Sequence, residues 1–425
     1  MTSVITTPDV GAAFANPAAG VRPELRAEAA LDAATFGAIR RRAVLEGFKW
    51  DPQVGDVGTL SPFPLVMKAR AWKKIALQAE QLAREAVAAE QEIAHRPELL
   101  KDLGLPRALR QVLGGNTPLT PEAGRVMRFD FHNTTDGWQI SEANSDVPGG
   151  FSEASYFTAA MAARFPNLQP AGNPAEDWAD ALASVAGNRR VIAFLSAPGY
   201  MEDHQVVAFL ASQLRQRGCR PHLAKPQQIV WRDCFAHLAT SWHRGPLDAI
   251  VKFYQVEWIS RLPRKCGWAN FFRGGKTPVA NPPNAVISES KRFPLVWDRL
   301  IAKLPAWREL LPETRDPREV EWSRHEDWLL KTAMCNNGDT VSARDLMRPA
   351  DWLRARIAAR LRPSNWVAQR RFQSAPIPTP AGPRHVCVGV YTVNGRAAGA
   401  YARIAEKPLI DFAAVDVALL IEDDD

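Results

Sequence analysis

One segment, Arg128 to Asn144 (RFDFHNTTDGWQISEAN), limits what this chain can fold into more than any other. Met127, Phe129 and Phe131 recur at period two, so a strand there buries them on one face and turns Arg128 and Asp130 to the other. Asn133-Thr-Thr-Asp-Gly137 is rich in turn formers and joins Val126 to Phe131 with a second alternating run, Trp138 to Asn144. A hairpin centred near Thr135 sets Arg128 opposite Glu142 and gathers Arg128, Asp130, Glu142 and Asn144 on one face. A slip of one residue would send the polar side chains of one strand to the opposite face. Two carboxylates and an amide oxygen are hard ligands that suit Mg²⁺, and an arginine offers a planar fork to a phosphate. A solvent-facing hairpin laced by salt bridges would use the same residues.

The rest of the chain supplies ample core for such a hairpin. Of its 425 residues, 46% are hydrophobic and 23% charged, which suits one large lobed domain or two closely packed ones. No run of 18 apolar residues occurs, so no membrane partner is expected. Residues 1–20 lack the basic start and continuous apolar stretch of a signal peptide and read as a flexible Ala/Pro-rich tail of a cytoplasmic protein. Cys219, Cys234, Cys266, Cys335 and Cys387 are scattered without a CxxC pair, so neither a disulfide framework nor a thiolate metal site is signalled. The net charge of +7 is spread along amphipathic helices rather than massed with aromatics, so anionic small substrates explain it and nucleic acid is not expected. The acidic end Glu422-Asp-Asp-Asp425 reads as a solvated tail.

Apolar residues at three and four spacings make Val21 to about Leu113 read as helical, broken at Pro62 and Pro64. From about Arg189 the texture becomes strand, turn, helix, as in VIAFLSAPGY followed by Glu202 to Gly218, which suggests a small α/β lobe with a partly parallel sheet. The remainder alternates short strands with long connections and reads as an antiparallel sheet; Asn394-Gly395 marks a two-residue hairpin turn within it. Lys331 sits on the apolar strand Trp328-Leu-Leu-Lys-Thr, ahead of a turn-forming loop, Asn336 to Val341, whose backbone N–H groups could cover phosphates; a snorkelling lysine looks the same in sequence. Lys291 follows a turn leading into a helix expected to start near Ser288 or Ser290, a place that favours anions, although many exposed helices begin this way. The basic loop Arg264 to Lys276 is a candidate lid or a plain surface loop.

Taken together, Arg128-Phe-Asp130 with Glu142-Ala-Asn144, Asn281-Pro-Pro with Ser290-Lys291, Lys331, Val367-Ala-Gln369 and Gly399-Ala-Tyr-Ala-Arg403 make the chain resemble the synthetase domain of the glutathionylspermidine synthase family, from about Glu46 to Glu422. Trp50-Asp-Pro, Arg96-Pro-Glu-Leu-Leu and Gly104-Leu-Pro belong to the same resemblance. It implies an α+β fold, a circularly permuted ATP-grasp-like synthetase with a helical N-terminal region (21–118), a metal-binding hairpin region (119–184), a small α/β lobe (185–283) and a nucleotide-binding region (284–425). By that resemblance Asp130, Glu142 and Asn144 would hold Mg²⁺, and Lys291 and Lys331 would hold ATP phosphates. Asn337 and Gly338 would cover the phosphates, on a loop with fewer glycines than the family pattern. Gln369 would lie at the adenine, and Arg128 and Arg403 would face the transferring phosphoryl group. The implied function is an ATP-dependent ligase joining a small-molecule or peptide carboxylate to an amine, such as a polyamine or amino acid, through an acyl phosphate. An ATPase or phosphotransferase of the same fold, and a nucleotide-binding scaffold without turnover, are the alternatives.

Overall fold

A computed structural model describes residues 23–54, 57–197, 199–334, 341–411 and 413–424. The tail expected over residues 1–20 lies outside them, as does Cys335. The hairpin forms one side of a five-stranded antiparallel sheet ordered Val415–Val417, Arg396–Ala405, His385–Val393, Val126–Thr134, Gly137–Asn144. Asn394 and Gly395 connect two of these strands at φ 47° and 77°, the left-handed pair that a tight hairpin needs.

The helix Ala69–Ala94 explains why the sheet is two-faced. Ile75, Ala79, Leu82, Ala86, Ala89 and Ile93 recur every three or four residues and are sealed against Phe129, Phe131, Val388 and Val390. Each large aliphatic side chain buried this way stabilises by roughly 1.5–3 kcal/mol. With that face taken, period two leaves Arg128, Asp130, Tyr401 and Arg403 on the other, where the site is built.

Two further sheets frame that face. Val279–Ala280, Ala249–Lys252, Val191–Leu195 and Arg220–Ala224 form a parallel sheet in that order, with Met201–Gln216 as a crossover helix. Thr314–Arg315, Trp366–Arg370, Trp328–Thr332 and Val341–Ser342 form an antiparallel sheet carrying Gln369 and Lys331. This is the α+β arrangement expected.

Three local expectations differ. The N-terminal region is not helical throughout, since Leu65–Lys68 pairs with Leu25–Ala27 and lies parallel to Leu419–Glu422. Extended chain wins there because its apolar residues fill a slot against the last strand, which helix periodicity cannot foresee. Glu422 accordingly is no loose tail residue; it pairs with Arg26 at 2.9 Å and Lys68 at 3.1 Å. The segment Arg264 to Lys276 is anchored rather than lid-like, because Phe271 and Phe272 are buried and the Arg273 side chain donates to the carbonyls of Ala94, Leu113 and Thr117. Among the described cysteines none is bonded to another, and no described helix is long and apolar enough to cross a membrane.

Candidate functional site

The hairpin register differs from the simple one. Arg128 pairs with Asn144 rather than Glu142, and the ladder shifts by one between Phe129 and Phe131, where Phe131 pairs with Ile140. The resulting bulge gives Asp130 two neighbours on the opposite strand, Ser141 and Glu142. Bulges re-aim side chains in this way next to functional sites, and here the bulge keeps Arg128, Asp130, Glu142 and Asn144 in one cluster despite the altered pairing.

Asp130 is the hub. Arg128 grips it bidentately, Nε to Oδ1 at 2.7 Å and Nη2 to Oδ2 at 3.1 Å, and Arg403 Nη2 donates to Oδ2 at 2.7 Å. Asn144 Nδ2 donates to the same oxygen at 3.3 Å. Burial would push the Asp130 carboxyl up, but Arg128 and Arg403 outweigh it and hold Asp130 well below the usual carboxylate range. His132, buried beside them, is pushed down to about 3 by burial and stays a neutral ring hydrogen-bonded to Ser141.

Lys291 meets Glu142 at 3.2 Å and Glu289 at 3.7 Å. It stands where one helix ends and another turn begins: Ala285–Glu289 is a short helix that ends before it, and Ser290, extended, donates its hydroxyl to the Leu103 carbonyl and accepts from the Arg292 N–H at 3.1 Å, ahead of the 3-10 segment Phe293–Arg299. Its acidic neighbours aim the lysine as well. Glu289 is among them, accepting from the N–H groups of Ser145 (2.6 Å) and Asp146 (3.0 Å) at the end of the hairpin, so the phosphate-lysine candidate and the hairpin are tied together. Lys252 pairs with Asp146 behind them. Burial raises Glu142, yet Lys291 wins and holds it below its ordinary value.

Lys331 Nζ donates to the Ser141 carbonyl at 2.9 Å, which brings it to the same hairpin from an inner strand of its sheet. Gln369, two strand positions beyond Val367, donates to Thr314 at 2.9 Å and lines a narrow cleft together with Glu142 and Lys291. Asn337 and Gly338 lie outside the described residues. The eight described site residues expected from sequence thus fall around one hairpin.

A second, larger cavity of about 210 Å³ opens on the arginine side, lined by Arg128, Asn144 and Arg403. Its acidic wall was not foreseen. It carries Asp51, Glu153, Glu202, Asp203, Asp411 and Asp416, from four separate stretches of the chain, and Asp416 is the register partner of Arg403, so acids and arginines adjoin there. Lys49 neutralises part of this wall, pairing with Asp51, Glu153 and Asp416. Burial pushes Asp416 up against the pull of Lys49. Asp203 has no such cation; its Oδ2 is buried without a hydrogen bond among the described residues, and burial, helped by Glu202, raises it to about 7. Of these acids only Asp51 stood inside a quoted motif, and isolated acids elsewhere carry no sequence signal of a shared wall.

The donor chemistry fits a hard divalent cation in part: two carboxylates held charged plus a carboxamide whose Nδ2 is spent on Asp130, leaving its oxygen as the ligand atom. No cluster of three or more acidic, histidine or cysteine side chains placed to hold a metal exists among the described residues. Any cation there depends on Asn144 and on phosphate or water oxygens to complete its shell.

Comparison with known structures agrees with this architecture. A glutathione synthetase-like effector (GSS30) from Globodera pallida in apo form superposes with TM-score 0.61 over 91% of this chain and 96% of its own, at 13% identity. A putative gamma-glutamylcysteine synthetase from Methylobacillus flagellatus KT gives 0.41 at 12% identity, covering 78% of this chain and 88% of its own. No curated protein matches the sequence. The fold is shared with that glutathione synthetase-like effector, and the family the chain matches makes it a ligase at the level of class. More specifically, residues 41–422 match the glutathionylspermidine synthase preATP-grasp family, and the chain belongs to it.

Proposed function

We propose that this protein is an ATP-dependent carboxylate–amine ligase that forms an amide bond through an acyl phosphate. One observation carries the reading: the hairpin borders both a narrow cleft that holds Lys291 and a cavity whose lining brings two arginines and several carboxylates together. A carboxylate is a poor electrophile until its oxygen is phosphorylated, and an amine arrives as an ammonium. The arginines suit the first reactant and the carboxylates the second. ATP with Mg²⁺, held by Lys291, Lys331, Asp130, Glu142 and Asn144, would supply the γ-phosphoryl group.

The chain's own residues do the rest. Arg128 and Arg403 draw the acid substrate to the hairpin and neutralise charge on the phosphoryl oxygens, where positioning and electrostatics dominate. Asp203 holds the ammonium and takes its proton, so that a neutral amine attacks the acyl carbon and phosphate leaves with the C–O bonding pair. The partners in this reading are a small-molecule or peptide acid and an amine.

The test is a matrix of acids and amines scored by ADP release and product mass. ADP that appears with an acid, and amide that appears only with both, supports the ligase. Steady ADP release indifferent to amine, with no adduct, would turn the reading to an ATPase or phosphotransferase, and nucleotide binding without release to a scaffold.

A further inference from the structure

Tyr401 stands two residues before Arg403 on the same strand and lines the cavity between the two arginines. Its register partner on the neighbouring strand is Gly389, whose other partner is Asp130. A Cβ on Gly389 would come within 2.9 Å of Arg128 Cδ and 3.2 Å of the Tyr401 ring. The glycine is therefore a notch through which Arg128 lies beside Tyr401, its guanidinium carbon 5.9 Å from the ring centroid.

The hydroxyl end is shaped as closely. Tyr391 and Tyr401 converge on Gly150, which adopts φ +86° and could carry no side chain, since a Cβ would sit 2.7 Å from both hydroxyl oxygens. Tyr391 donates to the Gly149 carbonyl. The Tyr401 hydroxyl has no hydrogen bond to any described residue, yet its oxygen is not sealed in the core, and the residue is only 4% exposed. A phenol packed on every other side and open at a cavity it shares with Arg128, Arg403, Glu153 and Asp416, yet bonded to none of them, is a donor waiting for an acceptor.

Resting on the ligase reading above, we infer that Tyr401 is a catalytic residue whose hydroxyl donates a hydrogen bond to the acyl oxygen of the bound carboxyl substrate. When the amine attacks, the C–N bond forms and the carbonyl π pair moves onto that oxygen. Collapse returns the pair and expels phosphate with the C–O bonding electrons. A donor fixed beforehand stabilises the charge at the oxygen in between. Burial pushes the Tyr401 phenol up to about 12 against the pull of Arg128 and Arg403, so it remains a donor throughout the working range.

Acetyl phosphate and inorganic phosphate separate this role from the rest, because only the first has an acyl oxygen. By calorimetry the wild type should bind acetyl phosphate more tightly than phosphate, and Tyr401→Phe should lose about five- to tenfold of that preference, the worth of one hydrogen bond. In turnover the same variant should lose about a hundredfold in kcat with the KM for ATP unchanged. Phenylalanine keeps the ring on Arg128, so folding is preserved; equal melting temperatures check this. Acetyl phosphate bound no better than phosphate by the wild type, or bound equally by wild type and variant, overturns the proposal. A wild type that shows the preference but releases no ADP with any acid sinks the ligase reading instead, while the donor role stands on the binding data.

Discussion

Lys291 and Glu142 are joined by an ion pair, Nζ to Oε2 3.2 Å, in which a candidate phosphate ligand neutralises a candidate metal ligand. Lys291 is the main charge that holds Glu142 below its ordinary value against burial. A triphosphate entering the cleft competes with Glu142 for the lysine. Lys291→Met keeps the stem and removes the charge, so ATP affinity should fall by about one to two powers of ten, the range of a charge-assisted bond. Melting temperature should fall only in part, because Glu142 and Glu289 lose their cation while Glu289 keeps its bonds from the Ser145 and Asp146 N–H groups. Calorimetry with a non-hydrolysable ATP analogue decides, and a variant that melts much earlier while binding normally would make the lysine structural.

Glu142→Gln tests the other half of the pair. The amide keeps the size and loses the hard anionic ligand, so Mg²⁺ should no longer improve nucleotide binding. Dissociation constants for ATP measured with Mg²⁺ and with a chelator should differ strongly in the wild type and converge in the variant. If the variant keeps the wild-type Mg²⁺ response, Glu142 holds no metal.

Gly389→Ala adds one methyl to the notch under Arg128. The arginine must yield, because the new carbon would stand 2.9 Å from its Cδ. Overpacking of this kind costs about 1–3 kcal/mol. Activity should drop at least tenfold (about 1.4 kcal/mol or more of transition-state stabilisation) as the guanidinium leaves its grip on Asp130. A denaturant titration beside a rate measurement shows both, and full activity would mean that Arg128 need not lie where it does.

Much of this site was legible in the sequence, for identifiable reasons. Arg128, Asp130, Glu142 and Asn144 stand within one local hairpin, where period two and turn residues confine the geometry even when a bulge changes the pairing. Lys331 and Gln369 lie on short strands whose apolar neighbours identify them, and they reach the hairpin only through pairing between distant segments. The acidic wall was illegible because Asp51, Glu153, Asp203 and Asp416 come from separate elements with no shared spacing. Tyr401 was quoted in a motif, but nothing in a sequence shows that Gly389, its register partner on the neighbouring strand, leaves room for Arg128 beside it. The helix expected to start near Ser288 or Ser290 proves to be two pieces, a short helix ending at Glu289 and a 3-10 segment from Phe293, with the Ser290 hydroxyl oxygen accepting from the Arg292 N–H between them.

Asp203 makes a stability prediction with a definite sign. Its folded value is raised from 3.8 to about 7, so the folded protein binds this proton more tightly than the unfolded chain. The stabilisation is complete below the unfolded value and is lost as pH rises through the folded one. Glu202 on its own helix adds to the rise, while Lys49, Arg128, Arg403, Asp51 and Glu153 face the same cavity from other elements. Asp203→Asn cannot titrate, so its stability relative to wild type should grow between about pH 4 and 7 and then level off, by on the order of 4 kcal/mol at most. Parallel melting curves across that window would show that Asp203 is not raised.

Arg128 decides how the arginine wall works. It spends two donors on Asp130 and a third on the Gly149 carbonyl at 3.1 Å, so in this state it is a fixed cation rather than a free arm. A group held that rigidly beside the hairpin stabilises charge that appears during phosphoryl transfer more than charge already on bound ATP. Arg128→Lys retains one positive charge but not the fork, and Arg403 still holds Asp130 at 2.7 Å, so the fold and the ATP affinity should survive. Turnover should not, falling by roughly 10³ or more if the guanidinium acts as arginines do on transferring phosphoryl groups. A loss confined to chemistry lowers kcat and kcat/KM together, whereas a lost ground-state contact raises KM. Hydroxylamine adds a readout of the first step, since the wild type with its acid should give a hydroxamate before any amine is present, and the lysine variant should give almost none. If the variant forms hydroxamate at the wild-type rate and fails only when amine is added, Arg128 belongs to the second step, and Arg403 alone faces the phosphoryl group.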